Sequence, residues 1–145
     1  MKRLLLLAAL AFPIAAHAQQ SSIPDAILGK APPPSGKTVM YLPGDSATRG
    51  YLAVPPGKGP FPALIMIHEW DGVNDRDRQV ADMFASHGYV TLVADLYQGK
   101  TGSNQQENVA LMNDARAHLD RVITNLDAAQ KFVRVRPDVD RKSVV

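Results

Sequence analysis

Two short stretches hold the residue types that do chemistry. His68-Glu69-Trp70-Asp71-Gly72 sets an imidazole beside two carboxylates, and Asp95-Leu96-Tyr97 adds an acid and a phenol. The apolar run before His68 reads as a strand covered on both faces, so a carboxylate directly at its end is expected to be partly desolvated. Its pKa would then rise unless a cation pairs with it. Glu69 holds that position, with Arg76 and Arg78 as the nearest pairing cations. His68 reads as a hydrogen-bonded structural residue rather than a base, because no acid or nucleophile is assigned to it. A zinc-protease motif needs a second histidine where Gly72 stands. Gln98-Gly99-Lys100-Thr101 matches the end of a phosphate-binding loop, but the first glycine of that loop would fall on Ala94. No G-x-S-x-G occurs, and Ser46 lies in a turn rather than a strand-to-helix elbow. His87 and His118 fall on helical stretches and read as surface residues. Cysteine is absent, so the chain offers no thiol nucleophile and no disulfide.

The elements that must position these residues follow from periodicity and punctuation. The run Phe61-Pro62-Ala63-Leu64-Ile65-Met66-Ile67 is too short to cross a bilayer and too continuous for a half-exposed strand. It is expected in the middle of a parallel sheet, where ligands bind at the carboxyl ends of the strands. Residues 37–42 and 50–54 read as an antiparallel edge hairpin around Pro43-Gly44-Asp45-Ser46. Asn74 or Asp75 caps a helix to about His87, with Val80, Met83 and Phe84 as its apolar stripe and Gly88 as its stop. Residues 89–94 form a second buried strand, parallel to the first. Helical spacing then holds from Gln105 to about Val133, as one long or two consecutive helices, until Arg136-Pro137-Asp138. Lys142-Ser143-Val144-Val145 begins a third parallel strand. A sheet left inside a strand is not an ordinary domain boundary, so a truncated domain is expected over residues 37–145.

The first 18 residues read as a cleaved leader: Lys2 and Arg3, an apolar core at 4–11, and the small-x-small site Ala16-His17-Ala18. Cleavage after Ala18 implies a periplasmic or secreted product with no membrane span. Without Lys2 and Arg3 the formal charge falls from +2 to zero. Basic residues are scattered among acids, which argues against nucleic acid as a partner. Residues 19–36 are polar and proline-bearing and read as an irregular mature N-terminus. The sequence indicates no metal and no organic cofactor, and gives no oligomeric state.

Pro62 to Gly72, Asp75, Val80, Ala81, Gly88-Tyr89-Val90 and Ala94-Asp95-Leu96-Tyr97, in this order and spacing, resemble the dienelactone hydrolase family of α/β hydrolases. The resemblance covers most of the chain from about Thr38. It implies an α/β-hydrolase-type, mostly parallel sheet with flanking helices, cut short before the nucleophile elbow. It also implies a small-molecule ester or lactone substrate cleaved by a Cys-His-Asp triad. Glu69 matches the family glutamate that contacts the nucleophilic cysteine. Trp70 matches the position whose backbone N–H joins the oxyanion hole, and Tyr97 lies beside the family's substrate pocket. An arginine that some members carry two residues after that tyrosine is Gly99 here, with Lys100 one step on as the substrate-binding candidate. All three triad positions would follow Val145. The resemblance therefore implies an N-terminal portion that orients a carbonyl but cannot attack it. A non-catalytic exported binding protein derived from the same fold is the alternative.

Overall fold

A computed structural model describes residues 23–145; the expected leader and the expected cleavage after Ala18 lie outside the described residues. The element order is α1 (Asp25–Leu28), β1 (Lys37–Val39), β2 (Gly50–Ala53), β3 (Phe61–Ile67), α2 (Asp75–Ser86), β4 (Val90–Ala94), α3 (Gln105–Ala117), α4 (Leu119–Arg134) and β5 (Val139–Val144). These strands form one five-stranded sheet in the order β1-β2-β4-β3-β5. The expected edge hairpin is present, with β1 and β2 antiparallel and β2 antiparallel to β4. β3 runs parallel to both β4 and β5.

Every residue of β4 is buried, whereas in β3 only Ala63 is. The central strand is therefore β4, and the expectation that β3 is covered on both faces is corrected. Coverage explains the difference. Leu92 and Ala94 face α4 with Ala129 and Val133, while Val93 faces α2 with Ala81 and Ala85. α2 packs on β2 and β4, so the α2-side residues of β3 stay half-buried. Burial of Val90, Leu92 and Val93, all inaccessible to solvent, stabilises the fold by roughly 1.5–3 kcal/mol per side chain.

The helices start and stop where local chemistry dictates. Asn74 caps α2 by accepting from the N–H groups of Arg76 and Asp77, and the Asp77 carboxylate accepts the Asn74 N–H in return. The long helical stretch is two helices, broken at His118, whose φ of −128° and ψ of 56° are not helical. β5 begins at Val139, earlier than its apolar end at 142–145 suggests. Its pairing with β3 shifts register between Phe61 and Ala63, and Asp140 folds back to accept from the Lys142 N–H and the Ser143 hydroxyl.

The segment 29–36 has no helix or strand, yet it is anchored. Ser35 N–H donates to Asp82 Oδ2 at 2.7 Å, and the Gln79 amide donates to the carbonyls of Ala31 and Pro32. Tyr51 completes the attachment by donating to Asp82 Oδ1 at 2.8 Å.

Candidate active site

The loops that leave the carboxyl ends of β3 and β4 are tied to each other. Leu96 N–H donates to His68 Nε2 at 3.2 Å, and Gly102 N–H donates to the Asp71 carbonyl at 3.0 Å. Gly72 sits against the second loop at φ +89°, where a Cβ would lie 2.5 Å from the Lys100 carbonyl oxygen. Only glycine fits both that backbone conformation and that approach.

Asp95 organises the second loop. Its carboxylate, 1% exposed, accepts three backbone N–H groups: Arg49 at 2.7 Å, Tyr97 at 3.1 Å and Gly99 at 2.6 Å. Its own N–H donates to the Tyr41 hydroxyl, and its carbonyl accepts from the Asn125 amide at 2.8 Å. Tyr41 in turn donates to Asn125 Oδ1, and burial pushes its phenol pKa well up. Asp95 is thus a structural anchor that shapes the turn carrying Tyr97.

A cleft of about 220 Å³ opens between this end of the sheet and the two long helices, lined by His68, Glu69, Trp70, Tyr97, Met112 and Arg116 among others. His68 is 8% exposed and its ring meets that of Tyr97 edge-on at 4.5 Å. Both imidazole nitrogens are engaged: Nε2 accepts from Leu96, and Nδ1 lies 2.6 Å from the Glu69 carbonyl oxygen, to which it donates. The structural reading of His68 therefore holds. Trp70 is 46% exposed, and its backbone N–H has no backbone acceptor among the described residues.

Glu69 is exposed and forms no ion pair among the described residues; Arg78 pairs with Asp75 at 2.7 Å. The desolvated carboxylate expected at Glu69 is instead Asp77, whose pKa is raised by burial, against the Asn74 backbone hydrogen bond. The correction follows from chain direction, because the backbone turns after His68 and carries Glu69 outward while α2 brings Asp77 in beneath the loop. The Tyr97 phenol is also raised, by burial first and by the Asp71 carboxylate second, with Arg116 drawing it back.

Glu69, Trp70 and Tyr97 thus share one cleft. Lys100 does not; it lines a separate polar cleft of about 460 Å³ with Arg49, Asp71, Asn74, Arg78 and Thr101. The cation that shares the first cleft is Arg116, in the last turn of α3, which forms no ion pair or side-chain hydrogen bond among the described residues. It was legible in principle. Position 116 follows Met112 by four, so the two share a face of α3.

Residues 48–145 match the dienelactone hydrolase family. Among curated relatives, protein usf of Aquifex pyrophilus is 31% identical over 103 residues, covering 68% of this chain and 44% of its own length. A protein of Azospirillum brasilense that carries a provisional carboxymethylenebutenolidase name is 28% identical over 96 residues, covering 64% of this chain and 39% of its own. The solved structure m3DLH superposes with a TM-score of 0.67 at 23% identity over 76% of this chain and 47% of that one, which is a likeness of fold. The chain spans less than half the length of each. With its mixed sheet, its helices on both faces and the family match running from Thr48 through both site loops, the chain belongs to the dienelactone hydrolase family.

Proposed function

We propose that the chain is the N-terminal portion of an exported hydrolase that cleaves carboxylic ester or lactone bonds through an acyl-enzyme. The thiolate, aspartate and histidine of that reaction are carried by residues following Val145. In this reading the thiolate attacks the carbonyl carbon, the Trp70 N–H helps hold the oxygen as it takes up charge, and Glu69 controls ionisation of the thiol. Tyr97 walls the substrate site. Arg116, the uncommitted cation of the cleft, favours substrates that carry negative charge. Export rests on the leader at residues 1–18.

The single observation that carries the reading is a backbone N–H without a backbone acceptor, that of Trp70, in a residue lining the same cleft as Glu69 and Tyr97. An N–H left unpaired beside a cleft is what a developing oxyanion requires. A name of carboxymethylenebutenolidase among the relatives agrees with lactone cleavage. The test is to sequence the source gene through the Val145 codon. An open frame running into a glycine-flanked cysteine is the expected result, and a stop there would withdraw catalysis.

A further inference from the structure

We propose that His68 is the positioning residue for the Trp70 N–H, acting through the peptide bond that joins Glu69 to Trp70. The proposal rests on the oxyanion reading given above and adds what aims the donor. Leu96 N–H can only donate, so His68 Nε2, 3.2 Å away, must accept. The ring hydrogen therefore sits on Nδ1, which donates to the Glu69 carbonyl at 2.6 Å. That carbonyl belongs to the same planar unit as the Trp70 N–H, and the peptide is trans. In a trans peptide the N–H points opposite to the C=O, so a hydrogen bond that holds the Glu69 oxygen sets the direction of the Trp70 N–H. The Gly72 N–H, 3.3 Å from the same oxygen, closes the turn and adds a second restraint.

The ring itself has little freedom. It is buried, it meets the Tyr97 ring edge-on, and Nε2 ties it to the start of the loop after β4. A chain of three links thus runs from β4 to the donor: Leu96 N–H to imidazole, imidazole to the Glu69 carbonyl, and carbonyl to N–H through the peptide plane. Preorganisation of this kind matters because a donor fixed before the reaction costs no reorganisation as charge develops.

The test uses the 15N-labelled chain and two variants that split the ring into its halves. His68→Asn keeps a donor near the Nδ1 position, and His68→Gln reaches toward the Nε2 position without one near Glu69. In the unaltered chain, 15N shifts should show hydrogen on Nδ1 and an accepting Nε2. The residual dipolar coupling of the Trp70 N–H should stay at its original value in His68→Asn and change in His68→Gln, while couplings across Val90–Ala94 stay put. Hydrogen on Nε2, or a Trp70 coupling that is the same in His68→Gln as in the unaltered chain, would overturn the proposal. Should His68→Gln not fold, the ring tautomer and the His68→Asn coupling decide it. The oxyanion reading fails separately: if a complete hydrolase carrying His68→Gln kept its kcat although the Trp70 coupling had moved, the positioning would stand and the catalytic use of that N–H would fall.

Discussion

At the scale of single residues, the buried polar groups around Asp95 dominate. Removing its carboxylate strands the N–H groups of Arg49, Tyr97 and Gly99 together. Of these residues Tyr97 is buried, whereas Arg49 and Gly99 are exposed and water can reach their N–H groups. An unpaired buried group costs about 1–3 kcal/mol, so Asp95→Ala should lower unfolding stability by about 1–3 kcal/mol in urea titrations. Tyr41→Phe should cost about 1–3 kcal/mol by leaving the Asp95 N–H and Asn125 Oδ1 without their hydroxyl partner. Equal stability of Tyr41→Phe and the unaltered chain would show that the network is slack. The sequence marked Asp95 as part of a motif, but not as the anchor, because its partners Tyr41 and Asn125 stand 54 and 30 residues away. The exposure of Glu69 is not legible in the sequence for a related reason. A carboxylate at the end of a strand is desolvated only if the next residues keep it under cover, and here the turn to Gly72 faces it outward.

At the scale of elements, the loops after β3 and β4 work as a pair, and the β1–β2 turn braces the second. Asp45 accepts from the Gln98 amide at 3.1 Å and from the N–H groups of Ala47 and Thr48. The Gln98 contact, with these turn bonds, holds its pKa at about 2 against an ordinary 3.8. A depressed folded pKa contributes stability that is present above the unfolded value and lost as pH falls through the folded one. The brace should therefore weaken from about pH 3.8 down to about 2, and Asp45→Asn should flatten that part of the acid limb in thermal melts. Gly72→Ala tests the pairing of the loops more sharply, since it forces a Cβ against the Lys100 carbonyl at positive φ. It should destabilise by about 1–3 kcal/mol and perturb the amide shifts of residues 95–102. Unchanged shifts there would mean that the loops move independently. Most elements were legible from periodicity and caps, including α2 with its Asn74 cap and the edge hairpin. β5 was read late because Asp140-Arg141-Lys142 interrupts its apolar pattern, and the break at His118 lacks the glycine or proline that would announce it.

At the scale of the whole molecule, the sheet is well covered at β4 and thinly covered toward β5. Native-state amide exchange should therefore protect Leu92 to Ala94 most strongly, with Leu64 to Ile67 less protected on the strand whose α2-side residues remain half-buried. Equal protection of both strands would show that β3 is buried more completely than its side chains indicate. The mixed order β1-β2-β4-β3-β5 could not be read from the sequence, because it depends on β2 inserting beside β4 rather than beside its sequence neighbour β3. A cleft at the carboxyl ends of β3 and β4 could be expected, since ligands bind where parallel strands end. Its division into two clefts could not, and that division separates Lys100 from Glu69, Trp70 and Tyr97. In the proposed function, residues through Val145 orient a carbonyl without supplying the group that attacks it. Hydrolysis of p-nitrophenyl acetate by the purified chain tests this most directly. No turnover above buffer is predicted, and substantial hydrolysis that disappears in Glu69→Gln would contradict the account.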